Sequence, residues 1–350
     1  MGPDGGGPRA WRLGVMRALG GPWRPVWAWR ATAAGVLAAL ALTGPGLAGT
    51  AQAAYPGQDG LIAFLRGGNV YTIQSDGSGL TKLTSDGHDS GPRWSPDGQQ
   101  IAYLDRGNLW MMSAGGGDKT QLTTGTRYAD SRPSWSPNGR YLAFVKTRRG
   151  RAYGYLTRYN LATHGLATFS VPYHSEKPTR RQVQVTALPA PVAWGWAANG
   201  TEFGSFILFE GTGHPFCRPH YFCLDAYGRP HQDQYKNGFP SSEWSARAPV
   251  RIADPDWFPG QPQFDTDVLT SQEHCSAATC THSGIHLQVL SSLIVPGAYD
   301  AVYSPVGRNI AYVLNVRGRP EIYVGFNASS PDGALLTAGS QPDWQPLPPG

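Results

Sequence analysis

Apolar residues fall in short runs along this chain, and the runs recur in a fixed order. Ile101-Ala102-Tyr103, Leu142-Ala143-Phe144 and Ile310-Ala311-Tyr312 each begin three residues after a glycine, as does the weaker Phe203-Gly204-Ser205. Branched and aromatic residues in such triplets suit a pleated, half-buried surface and predict strands. Another run belongs to each unit, as in Asn69-Val70-Tyr71, Asn108-Leu109-Trp110 and Ile322-Tyr323. Turn stretches such as Asp76-Gly77-Ser78-Gly79 and Gly115-Gly116-Gly117 separate it from a last strand closing in Leu83-Thr84, Leu122-Thr123 or Leu336-Thr337.

An aromatic anchor precedes the triplets in a repeated phrase. It is cleanest at Pro92–Gly98, Pro-x-Trp-Ser-Pro-Asp-Gly, and recurs at Pro133–Gly139 with Asn138 for Asp. Looser copies lie at Trp196–Gly200, Pro255–Gly260, Tyr303–Gly307 and Pro342–Pro346. The anchors Trp94, Trp135, Trp196, Trp257, Tyr303 and Trp344 are 41, 61, 61, 46 and 41 residues apart. Asp-Gly or Asn-Gly predicts a two-residue hairpin turn with positive φ at both central positions. The anchor is then an inner strand and the triplet starts the second. Four antiparallel strands in a unit of roughly 40–45 residues make a β-propeller blade. Leu61-Ile62-Ala63-Phe64 is a second strand with no anchor before it, and Pro342-Asp343-Trp344 is an anchor with no second strand after it. The expected fold is all-β: a six-bladed β-propeller of four-stranded antiparallel blades, its ring closed by the C-terminal strand joining the first blade. The alternative, an open β-sandwich with chance repeats, fits poorly with several copies of one specific phrase.

The phrase, with its trailing Ile-Ala-Tyr and Leu-Thr, resembles the WD-type propeller repeats of the TolB family. The resemblance spans nearly all of residues 55–346, strongest at the first two anchors and weakest at the middle two. It implies a six-bladed propeller. TolB itself is a periplasmic partner of an outer-membrane lipoprotein and carries an N-terminal domain. The stretch from Ala54 to Leu61 leaves no room for that domain, so only the propeller is carried over.

Ahead of the repeats, Arg9, Arg12, Arg17, Arg24 and Arg30 form a basic leader, followed by an apolar run from Ala31 to Leu42 and the small-residue sequence Ala51-Gln52-Ala53. This pattern predicts a secretory signal peptide over 1–53 and a single propeller domain over 54–350. The competing reading is an uncleaved anchor, for which the apolar run is short against the roughly 20 residues of a span. Met16 is an alternative start, and the leader lacks a twin-arginine pair. Removing the leader lowers the net charge from +5 to +1, since five of 29 Lys+Arg and one of 24 Asp+Glu go with it. Nucleic acid therefore drops out as a partner. A secreted, extracellular protein follows (periplasmic where the source has an outer membrane), with no transmembrane segment after cleavage and no reason to exceed a monomer.

The four cysteines fall in two close pairs, Cys217 with Cys223 and Cys275 with Cys280, between the second and third strands of neighbouring units. In an exported chain they read as two local disulfides. Zinc is the alternative, because His214, His220, His274 and His282 interleave with them. The cysteine spacings are wider than the C-x2-C of common zinc sites, so no metal and no cofactor is assigned.

Function is sought in the enlarged loops. The third unit carries Lys146-Thr147-Arg148-Arg149-Gly150-Arg151 and a second insert, Tyr173–Arg181, that includes His174, Lys177, Arg180 and Arg181. Loops between strands two and three, and from strand four to the next blade, leave the same rim. Arg148, Arg149, Arg151, Tyr173, His174, Lys177, Arg180 and Arg181 thus define a candidate binding face, able to take acidic groups. Solvated decoration is the plainer reading. Gly228–Ser245 extends the opposite face. Asp89, Asp130, Asp254 and Asp300 precede their anchors and are expected near the channel mouth, where they hold either a cation or their own backbone. No G-x-S-x-G, H-E-x-x-H or P-loop is present, so no catalytic residue is named; His88 and Glu210 have no motif behind them. The resulting expectation is a binding module for a protein, peptide or cell-envelope ligand. The alternative is an extracellular hydrolase or lyase acting on a polysaccharide or peptide polymer.

Peptide mass mapping of the exported chain without reductant is expected to find Cys217 linked to Cys223 and Cys275 linked to Cys280. Free thiols, or links between the pairs, would refute the two-staple assignment.

Overall fold

The computed structural model describes residues 57–136, 138–151, 153–168, 170–173, 179–182, 184–186, 192–196, 205–212, 221–228, 244–247, 250–257, 268–275, 280–287, 292–326 and 333–348. Across 170–255 the description is of backbone path and pairing. Among these residues every strand pairing is antiparallel and no helix occurs.

Consecutive strands form meandering sheets. The second sheet runs Asp89–Trp94, Gln100–Asp105, Asn108–Ser113 and Thr120–Gln121. In the third, Tyr141–Arg148 pairs on one side with two short pieces, Tyr128–Asp130 and Ser134–Trp135, and on the other with Tyr153–Asn160, which also pairs with Gly165–Thr168 and Gln184–Thr186. The insert that follows forms its own hairpin, Ser170–Tyr173 with Thr179–Gln182. The fourth sheet is Val192–Trp196, Ser205–Thr212, Tyr221–Gly228 and Trp244–Arg247. The fifth is Val250–Trp257, Val268–Cys275, Cys280–Leu287 and Ser292–Pro296, and the sixth is Tyr299–Tyr303, Asn309–Val316, Arg319–Phe326 and Ala334–Ala338. The first sheet joins the two ends of this series: Ser340–Leu347 pairs with Gln58–Arg66, which leads to Asn69–Ile73 and Thr81–Lys82. Ile62 lies opposite Trp344 in that pairing.

The anchors sit between sheets. Trp94 packs with Ala63, Val70 and Leu83 of the first sheet's unit and with Ile101, Tyr103 and Met112 of its own. Trp135 lies among Ala102, Leu104 and Leu109 of the second sheet and Leu142, Phe144 and Tyr159 of the third. Trp344 fills the same role between Ile62, Phe64 and Ile73 on one side and Val302, Ala311, Val313 and Ile322 on the other. The triplets Ile101-Ala102-Tyr103 and Ile310-Ala311-Tyr312 thus offer one face to the sheet before and one to the sheet after. The Trp135 indole Nε1 also donates to the Arg93 carbonyl at 3.0 Å, tying one inner strand to the preceding one.

The repeated phrase builds a different turn from the one expected. Gly98 N donates to the Ser95 carbonyl at 2.9 Å, Ser95 N to the Gln100 carbonyl at 2.9 Å, and Gly98 alone of Asp97 and Gly98 has positive φ, 66°. A type I′ two-residue turn needs positive φ at both central positions. Here Pro96, its φ confined near −65° as in any proline (about ±15°), opens a turn centred on Pro96 and Asp97. Gly98 then supplies the left-handed residue that restores the strand direction. Ser95 Oγ donates to Asp97 Oδ1 at 2.5 Å and accepts from Gln100 N at 2.9 Å. Ser136 and Asn138 repeat this at 2.8 Å, with Tyr141 N donating to Ser136 Oγ at 2.9 Å. The serine, the Asp/Asn and the glycine of the phrase each have a hydrogen-bonding or conformational reason.

Trp344→Ala is expected to lower stability by about 3–5 kcal/mol, read from the urea midpoint, because it empties the seam between the first and sixth sheets. An unchanged midpoint would mean that the last strand carries no part of the core.

Candidate functional site

The inner strands are interrupted at one recurring place, just before the anchor. Pairing register shifts between Ser90 and Arg93, Ala253 and Asp256, and Tyr299 and Val302, and in the third sheet the inner strand splits around Arg132. Three residues before their anchors, Gly91, Asp300 and Gln341 have φ of 57°, 51° and 54°. Such bulges bend a strand and re-aim its side chains. For Asp300 and Gln341 the conformation costs on the order of 1–3 kcal/mol each, strain of a kind that clusters at binding sites. Gly91 has a second reason to be glycine: a Cβ there would lie 2.7 Å from Arg132 Cγ.

The kinks bring together polar residues from separate sheets, one and three positions ahead of the anchors. Arg93 Nη1 pairs with Asp343 Oδ1 at 2.7 Å, and Arg132 Nη2 with Asp300 Oδ1 at 2.9 Å. Asp343 Oδ2 accepts from Trp94 N at 2.6 Å, and Asp256 Oδ2 from Tyr303 N at 2.8 Å, so the residue before one anchor holds the amide of the next. Gln341 Oε1 accepts from Gly91 N at 2.7 Å. All four ion-pair side chains are largely buried, and the buried Arg93 Nε has no partner among the described residues. Burial pushes the Arg93 guanidinium down, but Asp343, Asp256 and Asp300 outweigh it and hold its pKa above the ordinary value. Burial raises the Asp343 carboxyl, opposed by Arg93, the Trp94 amide and Arg132. Buried pairs of this kind add little net stability, yet losing one partner strands a charge.

Asp89 and Asp130 each lie in a joint between units. Thr84 Oγ1 accepts from Val70 N at 2.8 Å and donates to Asp89 Oδ2. Thr123 Oγ1 accepts from Leu109 N at 2.8 Å and donates to Asp130 Oδ2 at 2.5 Å. The Leu-Thr of the repeat therefore latches one unit to the first strand of the next. The two joints differ in charge. Lys146 Nζ reaches Asp130 Oδ1 at 2.9 Å, whereas Asp89 shares its surroundings with Asp86 and Asp105, ligand oxygens of all three lying within 4.8 Å. Burial, with those two like charges and against the Thr84 bond, raises the Asp89 carboxyl to about 6. Arg106 Nη1 lies 3.2 Å from Asp105 and 3.7 Å from Asp86, supplying positive charge that a cation would otherwise bring.

Arg148 ends the strand Tyr141–Arg148 and Arg149 and Arg151 lie on the loop after it, all three exposed. Arg149 N donates to the Arg127 carbonyl at 2.9 Å, and Arg149 Nη2 to the Arg106 carbonyl at 3.1 Å. The remaining expected residues are placed by backbone or not at all. Tyr173, Arg180 and Arg181 lie on the insert hairpin, with Tyr173 opposite Thr179 and Arg180 opposite Pro172. Asp254 lies on Val250–Trp257, Cys223 on Tyr221–Gly228 opposite Gly211, and Cys275 directly opposite Cys280. His174, Lys177, Cys217 and the leader 1–53 fall outside the described residues. Arg93, Arg132, Asp256, Gln341 and Asp343 were not anticipated. The signal was present: they occupy the columns one and three positions before the repeated anchor.

Four-stranded meanders that follow one another along the chain, each packed on the next, are the build of a β-propeller. In comparisons of structure, the chain is similar to TolB from Acinetobacter baumannii at 14% identity, covering 82% of this chain and 67% of that one, with a TM-score of 0.54. A putative TolB from Agrobacterium tumefaciens matches at 15% identity over 81% of this chain and 91% of that one, TM-score 0.47. A chain of a nidogen/laminin complex matches at 6% identity over 82% and 99%, TM-score 0.50. No family model and no curated protein sequence matches this chain. The fold is a TolB-like β-propeller, and at these identities the likeness concerns the fold alone. Among the described residues no helix is long and apolar enough to cross a membrane.

Asp89 binds its proton at a higher pH in the folded chain, about 6, than at the ordinary value of 3.8. Its contribution to stability is therefore complete below 3.8 and is lost as pH rises through about 6. Asp89→Asn is expected to remove that slope, worth at most about 3 kcal/mol between the two pH values, in urea unfolding series at stepped pH. A slope that survives the substitution would assign the titration to another group.

Proposed function

We propose that this chain is an exported binding module, a closed six-bladed propeller that seats a protein, peptide or cell-envelope ligand on the face where its inner strands begin. The pairing of Ser340–Leu347 with Gln58–Arg66 supports closure of the ring. The basic and apolar leader supports export, to the periplasm or the outside. The pairing of Cys275 with Cys280 across one hairpin is consistent with a local staple there.

One observation carries the binding reading. Charged and strained residues from several inner strands, Arg93, Arg132, Asp300, Gln341 and Asp343, meet at the kinks just before the anchors. Asp343 and Gln341 also hold the Trp94 and Gly91 amides of a neighbouring inner strand, and each of these residues carries a cost in burial or backbone strain. A rigid scaffold that holds polar groups in fixed positions at its loop-bearing end is suited to recognition. The ion-paired groups hold one another.

The mature chain, immobilised and incubated with a detergent extract of the source cell envelope, is expected to retain a specific partner. The double variant Arg132→Gln/Asp300→Asn, which removes a buried pair without leaving a lone charge, is expected to reduce that retention at least tenfold while unfolding cooperatively. Turnover of a polysaccharide or peptide library by the mature chain, with no partner retained, would replace this reading with the hydrolase or lyase.

A further inference from the structure

We infer that the rim of the third sheet is a docking surface for an acidic segment of a partner protein, formed by Arg127, Arg148, Arg149 and Arg151 beside Tyr128. The inference rests on the binding-module reading and names the chemistry of one of its contacts.

The four arginines come from two loops at one end of the sheet. Tyr128 lies opposite Arg148 in the pairing of Tyr128–Asp130 with Tyr141–Arg148, which puts Arg127 next to the start of the Arg148–Arg151 loop. The Arg149 amide fastens the loops together through the Arg127 carbonyl, at 2.9 Å, and its guanidinium reaches the Arg106 carbonyl of the neighbouring sheet at 3.1 Å. The loop itself is closed by Arg151 N donating to the Arg148 carbonyl at 3.0 Å. The cations are thus carried on a tied scaffold, which lowers the entropy lost on binding.

The charge is uncompensated. Arg106 is matched by Asp105 and Asp86, and Lys146 by Asp130. Among the described residues no carboxylate lies within ion-pair reach of Arg127, Arg148, Arg149 or Arg151, and all four are exposed. Four like charges this close repel one another, and an anionic partner relieves that repulsion. The mature chain carries almost no net charge, so the cluster is a local feature and not a consequence of overall basicity.

Residue type selects the partner class. The cations are arginines, whose planar forks match carboxylates two bonds at a time. The 39% exposed Tyr128 ring lies beside them, with Lys146 Nζ 5.4 Å from its centroid. Arginine and tyrosine are the residues that dominate protein interfaces, where lysine is depleted. Clustered arginines are also a recurrent means of reading acidic peptide motifs.

The test uses the mature chain and a fluorescein-labelled deca-glutamate peptide, followed by anisotropy in 50 mM salt. Saturable binding is expected, weakening steeply at higher salt. The triple variant Arg127→Ala/Arg148→Ala/Arg151→Ala is expected to weaken it at least tenfold. These side chains have no partner among the described residues, so the variant should unfold at the parent midpoint. Arg140→Ala, on the turn at the opposite end of the same sheet, should bind as the parent does. No binding, equal binding by the triple variant, or preferential binding of polygalacturonate over the peptide would each overturn the inference. If the triple variant still captures the envelope partner, this surface is excluded while the binding module stands. If the parent captures nothing, the module itself fails.

Discussion

The packing of one sheet against the next through an aromatic wedge is the constraint on which everything else here depends. A four-stranded sheet exposes two faces, and each described sheet core is shared with a neighbour. Trp94, Trp135 and Trp344 lie in those seams and are among the largest buried side chains. Around them, polar bonds pass from one inner strand to the next: the Trp135 indole to Arg93, Asp343 to Trp94 N, and Asp256 to Tyr303 N. Apolar contact supplies the driving force, and the directional bonds fix the angle and height at which sheets meet.

The same seams position the site. An inner strand that must meet its neighbour and also give up part of its ladder does so through a bulge, and the bulge re-aims its polar side chains. Arg93 and Asp343 belong to the neighbouring second and first sheets, whereas Arg132 and Asp300 belong to the third and sixth, so the second pair links inner strands that are not adjacent in the series. The arginine rim is separate in kind. It is exposed, tied by backbone bonds, and offers charge where the inner cluster offers paired and buried charge.

Much of the fold was legible because it is repetitive. Five tryptophans and a tyrosine at similar intervals mark the inner strands, and the orphan strand at each end anticipated the pairing of Ser340–Leu347 with Gln58–Arg66. The turn differs from the Asp97-Gly98 form because Pro96, with its fixed φ and no N–H, suits the first central position of a turn on Pro96-Asp97. The site was less legible. Asp89, Asp130 and Asp300 look alike in the chain, each an aspartate shortly before an anchor. Their partners, Thr84, Lys146 and Arg132, differ in kind, and their surroundings give them different chemistry.

The sequence by itself determined the strands, their order and the residues that wedge the sheets together, because those follow from local spacing and from side-chain chemistry repeated along the chain. Only the tertiary structure decided which charges meet. Arg93 and Asp343 lie 250 residues apart, and Arg132 and Asp300 lie 168 apart. No local pattern links such positions, since their distance is set by how the twisted sheets pack and where the inner strands bulge. The energy of a charge depends steeply on that distance and on burial, so the chemistry of this face is a property of the assembled propeller.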